Sequence, residues 1–445
     1  MPWVVVWILF SIWAFGILKG YFGEYADDLP PDAMELSLIN FDRSKRVEDS
    51  VANDPQILRW LLGSSDDQEE SEQWILDGLE YLDEQNLLDP EGRSLLGLIR
   101  SDLGETVDLD AIPIPIYRDV LSDVTPQTRD VEKLAKKLSS HQGKWWDAEI
   151  ARKIVSKGDP SGKLQAALTI QDQLDQTLKW RAMVVNGTFW LIYLMGACFV
   201  PYAYRKLKTG WMAARHFRPI RYHSRWEPSL ILAVFLGCDI VADKAIDGLY
   251  SVAGTFDTGY YFDAGADLIW RMIPPLLAAG ILFARPRHVL RAFGMNRWPD
   301  WRIVLVAFAL LAGIGFVQSE LMGSYGSFDP TGNLDSMEIG WRGLIYGLLS
   351  SAVAAPIAEE MFFRGLLARG LEKRYGFPVA AICVTGLFAL VHFYDWYGFV
   401  SVAVFGFTAL VIYRATGSLI NSIALHALYN FSIILPAWVI YYSHL

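Results

Sequence analysis

The stretch Glu359-Glu360-Met361-Phe362-Phe363-Arg364 lies inside a run, Ser351 to Asn430, that is otherwise almost wholly apolar. Such a run reads as membrane helix, where a charged side chain costs several kcal/mol even on lenient scales. Charges placed there need partners or a function. Residues four apart share a helix face, so Glu360 and Arg364 can pair. Glu359 lies about 100° around the helix from its neighbour, unpaired by Arg364 and free to face a cavity. Pro356 cannot donate to the Ala352 carbonyl and loosens the helix one turn before Glu359. Breaks of that kind at bilayer depth are tolerated where they line a protein cavity.

Working outward, His392 stands in Phe388-Ala-Leu-Val-His392 and His426 in His426-Ala-Leu-Tyr-Asn430, each within a hydrophobic stretch. The four-residue rule puts Phe388 beneath His392 and sets Asn430 beside His426. Chain length places them in depth. Gly376-Phe377-Pro378 turns the chain, with Glu359 ~24 Å before the turn and His392 ~21 Å after it. His426 lies ~14 Å past the turn at Thr416-Gly417, and joins the same level if the 375–378 turn projects into the cytoplasm. Three segments thus converge on one depth. Peptide hydrolysis needs a base to activate water, an acid for the leaving amine and donors for the oxyanion. Glu359 suits the first two tasks, His392 can hold the same water, and His426 with Asn430 can donate to the oxyanion. The rival arrangement is a zinc site of Glu359, His392 and His426 with water in the fourth position. The ligand types suit either. No Ser or Cys stands in a comparable setting, so a nucleophilic mechanism is disfavoured.

The remaining chain divides in two. Of 445 residues, 53% are hydrophobic and 17 are Trp, too apolar for an ordinary soluble protein. From Glu24 to Arg181 there are 33 Asp+Glu against 18 Lys+Arg, a charge of −15, and the remainder carries +5. The expected fold is all-α: an anchor at 1–23, an acidic helical soluble domain at 24–182, and a polytopic membrane domain at 183–445. In the soluble domain Ile75, Leu79 and Leu82 share one face, as do Val131, Leu134 and Leu138. Candidate spans at 184–204, 228–247, 268–284, 303–320, 341–365, 378–394, 398–413 and 418–442, with the anchor, make about nine. The connection 204–226 carries seven Lys and Arg with no acid, and 285–302 carries five Arg with one Asp. Both belong in the cytoplasm by the positive-inside rule. By alternation the N-terminus is cytoplasmic and 24–182 extracytoplasmic, in what reads as a bacterial cytoplasmic membrane. Asp239, Asp243 and Asp247 repeat every four residues. They form either a proton or ion path or the charged interfacial end of a short span. The basic residues form no nucleic-acid patch. The three cysteines, Cys198, Cys238 and Cys383, all fall in apolar runs, which leaves the acidic domain without a disulfide.

The three motifs together resemble the CAAX-protease and bacteriocin-processing (CPBP, or Abi) family of intramembrane proteases. That family's pattern is Glu-Glu-x-x-x-Arg, then Phe-x-x-x-His, then His-x-x-x-Asn on successive membrane helices. It stands here at Glu359 to Arg364, Phe388 to His392 and His426 to Asn430. The resemblance covers about 340–435 and leaves 1–182 without a counterpart. It implies a membrane endopeptidase in which Glu359 and His392 activate water and His426 and Asn430 stabilise the oxyanion. Glu360 and Arg364 would be the supporting pair. The family is often labelled a metalloprotease, yet its prenyl-protein branch looks metal-independent, so no cofactor is favoured and zinc is the alternative. The expected substrate is a membrane protein or lipidated peptide, and domain 24–182 is a place for a protein partner. The competing reading is a non-proteolytic scaffold or immunity protein whose soluble domain binds that partner.

Overall fold

The computed structural model describes the chain except residues 1, 24–30, most of 53–87, 141, 159–161, 214–226, 254–258, 283–289, 323–340, 393–395 and 443–445. Every regular element among the described residues is helical. Asp257, Asp329, Asp335 and Glu338, acids in the connections that alternation expects outside the cytoplasm, lie outside the described residues, as do the basic stretch 215–225 and most of the segment 66–86 expected to be the helix that carries Ile75, Leu79 and Leu82.

Two compact units emerge. One comprises Met1–Asp28 with Thr188–Trp438, the other Leu29–Gly187 with Val439–Leu445. Helix α1 (Pro2–Gly23) belongs to the first. The second unit holds α2 (Pro31–Val51), α3 (Pro90–Asp102), α4 (Pro115–Leu121), α5 (Thr128–Ser139) and α6 (Trp145–Ser156). Its helix starts are written locally. Pro90 opens α3, and the Asp89 carboxylate accepts from the Gly92 amide at 2.7 Å, satisfying one of the orphan first-turn donors. At the start of α6 the Asp147 carboxylate reaches back to accept from the Lys144 amide at 2.9 Å. The apolar faces of these helices meet in a core that includes Leu79, Leu98, Leu138, Trp146 and Ile150. Ile75, Leu79, Leu82, Leu134 and Leu138 are all buried there. Arg46 is buried too, a placement that would be costly for an unpaired charge. Its guanidinium is held by Asp42 at 3.0 Å, Asp175 at 2.9 Å and the Gly143 carbonyl at 2.9 Å.

Helix α7 (Lys163–Cys198) is followed after a 57° bend by α8 (Val200–Ala213). The single straight span expected at 184–204 is therefore two helices. Pro201 supplies the reason: it lacks the N–H owed to Ala197 and its ring crowds that carbonyl. Helix α7 belongs to the second unit up to Gly187 and to the first from Thr188. The first unit also holds α8, α9 (Pro228–Ala253), α10 (Gly259–Leu282), α11 (Trp301–Met322), the long broken helix α12 (Trp341–Tyr375), α13 (Phe377–Leu390), α14 (Trp396–Thr416) and α15 (Leu419–Ala437). Among the described residues four helices are long and apolar enough to cross a membrane: α11, α12, α14 and α15 with its continuation to Ile440. The bent pair α7–α8 makes a fifth. The chain is a multi-pass membrane protein. The expectation of about nine spans also counts shorter apolar segments, Trp3–Ala14, Leu268–Ala278 and Phe377–Leu390, and α9 with its charges.

The acidic face of α9 is divided among three different partners. Asp239 accepts from the Trp13 indole at 2.8 Å, Asp243 from the Trp270 indole at 2.7 Å, and Asp247 pairs with exposed Lys244 at 2.6 Å. Two of the three carboxylates thus fasten α1 and α10 to α9. Gly376 and Gly417, at φ +83° and +66°, make the two turns that return α13 and α15 into the bundle.

The helices pack closely where small residues allow it. A Cβ on Gly210 of α8 would lie 2.0 Å from the Ala415 carbonyl oxygen on α14, a backbone atom that cannot step aside. Gly210→Ala is expected to lower the thermal midpoint of the purified protein by several degrees. Gly237→Ala, where nothing lies within 4 Å, is the control and should leave the midpoint unchanged or slightly higher.

Candidate active site

Helix α12 is not a continuous α-helix. A π-helical stretch, Leu348–Ala354, precedes one α-helical turn, Ala355–Glu359, and a second π-helical stretch, Glu360–Ala368, follows. In π geometry a carbonyl bonds the amide five residues on. Five residues after Ser351 stands Pro356, which has no N–H to give. The Ser351 carbonyl instead accepts from Asn430 Nδ2 on α15 at 2.6 Å. Proline thus does more than loosen the helix: it frees the acceptor that ties Asn430 to α12.

Glu360 and Arg364 are both wholly buried and form an ion pair, Nη1 to Oε1 at 3.0 Å. Arg364 also donates to the Gly406 carbonyl at 3.2 Å and lies flat on the Phe388 ring, 3.9 Å from its centroid. Glu360 has a second partner that helical spacing does not reveal. Its Oε1 stands 3.1 Å from His426 Nδ1. No sequence signal foretells that bond, because it depends on how α15 rotates against α12.

Glu359 faces away from this pair. Its Oε2 is 3.8 Å from His392 Nε2 and 3.9 Å from His426 Nε2. That oxygen is buried without a hydrogen-bond partner in the protein, although the side chain as a whole is 24% exposed. So the free carboxylate and both imidazoles share one space, partly open to the outside. Asn430 is anchored on Ser351 by one of its two N–H bonds, and the second is left for another acceptor.

The sequence places His392 within a membrane helix, and the structure corrects that. Helix α13 ends at Leu390, and the His392 amide bonds Ala389 in a tightened last turn. The Phe388 carbonyl then lacks its usual amide from the residue four ahead. The His392 ring caps it, Nδ1 to oxygen at 2.6 Å. A carbonyl only accepts, so Nδ1 carries the hydrogen and Nε2 presents its lone pair toward Glu359. The same reasoning applies to His426, whose Nδ1 donates to the Glu360 carboxylate. Both ring orientations are therefore fixed from behind. Phe388 underpins them all: its ring contacts His392 at 4.7 Å and His426 at 6.1 Å between centroids.

Zinc can be tested against this donor set. The kinds of ligand fit, and each imidazole is oriented through Nδ1 as metal-ligating histidines are. The spacing is wide, since bonds of ~2.0–2.1 Å to a tetrahedral ion put donors about 3.4 Å apart. Among the described residues no group of His, Cys, Asp and Glu stands at metal-holding distances. If zinc were held, Glu359, His392 and His426 would hold it, and it would acidify a bound water.

Residues 341–432 match the family model of the type II CAAX prenyl endopeptidase Rce1-like proteins. The Rce1-like match spans α12 to α15 and contains all seven motif residues. It agrees with the resemblance carried by the motifs. No curated protein and no solved structure matches the chain. The Rce1-like segment is accordingly a CAAX-protease-type region within a membrane protein, and the helices before Trp341 fall outside the match.

Proposed function

We propose that the protein is an intramembrane endopeptidase that hydrolyses a peptide bond of a membrane-associated protein or lipidated peptide with a water activated by Glu359 and His392. The supporting observation is the position of Glu359 Oε2 within 4 Å of both imidazole Nε2 atoms. Three acceptors facing one space suit a water, which can donate one hydrogen to Glu359 and one to His392 Nε2. Its lone pair is then turned toward a scissile carbonyl. As the oxygen attacks the carbonyl carbon, its proton passes to Glu359 and the carbonyl electrons move onto the oxygen. Asn430 Nδ2 and His426 Nε2 receive that oxyanion. At rest His426 Nε2 is an acceptor, because Nδ1–H is already committed to Glu360; it donates to the oxyanion only after taking up a solvent proton there, which it gives back when the intermediate collapses. The carboxylates of Glu360 and Glu359 on either side of the ring balance that charge. Collapse of the intermediate breaks the C–N bond while Glu359 returns the proton to the leaving amine.

The reaction so written uses no metal. Activity toward a prenylated C-terminal peptide should survive a strong chelator in a metal-stripped preparation. Loss of activity on chelation with recovery on adding zinc would replace this reading with the three-ligand zinc site. The soluble unit, on this proposal, lies outside the cytoplasm and serves to recruit or admit substrate.

A further inference from the structure

A groove of about 490 Å³ lies between the loop Met295–Pro299 and the first turns of α11 and α15. Its floor is apolar, made by Trp301, Ile420, Ile423 and Ala424, and Arg297 and Trp298 stand on its rim. Trp301 and Leu419 are where two membrane spans begin, so the groove opens at the level of the bilayer surface. Its tryptophans behave as interfacial residues do: Trp298 is 93% exposed and Trp301 54%.

Basic residues outnumber acids around it. Arg297 is exposed on the rim, and Arg302 lies over the Tyr202 ring at 4.9 Å to the centroid. Arg205, Lys206 and Lys208 follow, all exposed, on α8, which packs beside α11. The nearby acid, Asp300, is taken up by the Tyr202 hydroxyl at 2.7 Å. An apolar trough at the membrane surface under a basic rim matches a molecule with acyl chains and an anionic head.

We propose that this groove is a binding site for an anionic phospholipid of the surrounding bilayer. Its head is held by Arg297 with the neighbouring basic residues, and an acyl chain lies along Ile420 and Ile423. The inner wall is the turn of α15 before His426, so the bound lipid buttresses the helix that carries a site residue. The proposal does not depend on the chemistry that the site performs.

The test uses the full chain purified in detergent, exchanged into mixed micelles with phosphatidylglycerol or phosphatidylcholine, with retained lipid read by native mass spectrometry. Wild type is expected to retain phosphatidylglycerol at least tenfold over phosphatidylcholine. Arg297→Ala should cut that preference about fivefold, the weight of one basic side chain near an anionic surface. Ala424→Trp, which fills the trough, should abolish retention of either lipid. Equal retention of the two lipids, an unchanged preference in Arg297→Ala, or stoichiometric displacement of the lipid by a peptide substrate would each overturn the assignment. None of these readouts requires proteolysis, so a failed cleavage assay leaves this test standing.

Discussion

Glu359→Gln is expected to reduce peptide cleavage by about a thousandfold or more while the protein accumulates in the membrane at least as well as wild type. The rate loss follows from two roles in one residue. Removing a positioned general base costs about 10²–10⁴-fold, and Glu359 also returns the proton to the leaving amine. The stability gain follows from the same geometry. In the wild type a carboxylate faces two imidazole nitrogens that present lone pairs, at 3.8 and 3.9 Å. A glutamine amide of the same shape brings two N–H donors into that space and can bond both rings. The variant should therefore melt at the wild-type temperature or a few degrees above it, as strained or electrostatically opposed sites do when their function is removed. His392→Ala should lose comparable activity but not gain stability, because it also uncaps the Phe388 carbonyl. Where a prenylated peptide proves to be the wrong substrate, comparing the membrane proteomes of cells carrying wild type and Glu359→Ala supplies the readout. Cleavage by Glu359→Gln within tenfold of wild type would sink the water mechanism and return weight to a scaffold whose function survives without that carboxylate.

Part of this arrangement is legible in the order of the residues, and the reasons are specific. The Glu360–Arg364 pair follows from four-residue spacing and from the cost of a lone charge in an apolar run. The meeting of Glu359, His392 and His426 follows from counting residues back from two glycine turns, whose positive φ values stand at Gly376 and Gly417. The rest depends on rotation and register. Two π-helical stretches shift the register of α12, and only in that register does Pro356 release the Ser351 carbonyl for Asn430. Periodicity at 3.6 residues per turn gives no warning of such a shift. The Glu360–His426 bond is likewise a product of packing between helices distant in sequence, and the end of α13 before His392 rests on a local cap, the His392 ring on the Phe388 carbonyl, that periodicity does not reveal. Pro201, by contrast, is a legible break, and its bend divides a segment whose hydropathy alone reads as one span.

The largest effect on stability is expected at the pair behind the site. Glu360→Ala or Arg364→Ala leaves the other charge wholly buried, a change that typically costs about 3–5 kcal/mol, against a total stability of about 5–15 kcal/mol. Either variant should accumulate poorly and unfold at a much lower temperature. Arg364→Lys should not rescue, because an ammonium cannot at once pair with Glu360, reach the Gly406 carbonyl and lie flat on the Phe388 ring. The double variant Glu360→Leu with Arg364→Met separates pairing from mere bulk. With both charges gone it should be more stable than either single alanine variant, since replacing a buried pair by apolar groups is often neutral. It should nonetheless be far less active than wild type, because His426 Nδ1 then loses the carboxylate that fixes its ring and balances its charge. Glu360 on this account is a positioning residue, and the split between recovered stability and unrecovered activity is what a purely structural pair would not show. If the double variant regains both together, the Glu360–His426 contact has no part in the chemistry, and the pair serves only to hold α12 against its neighbours.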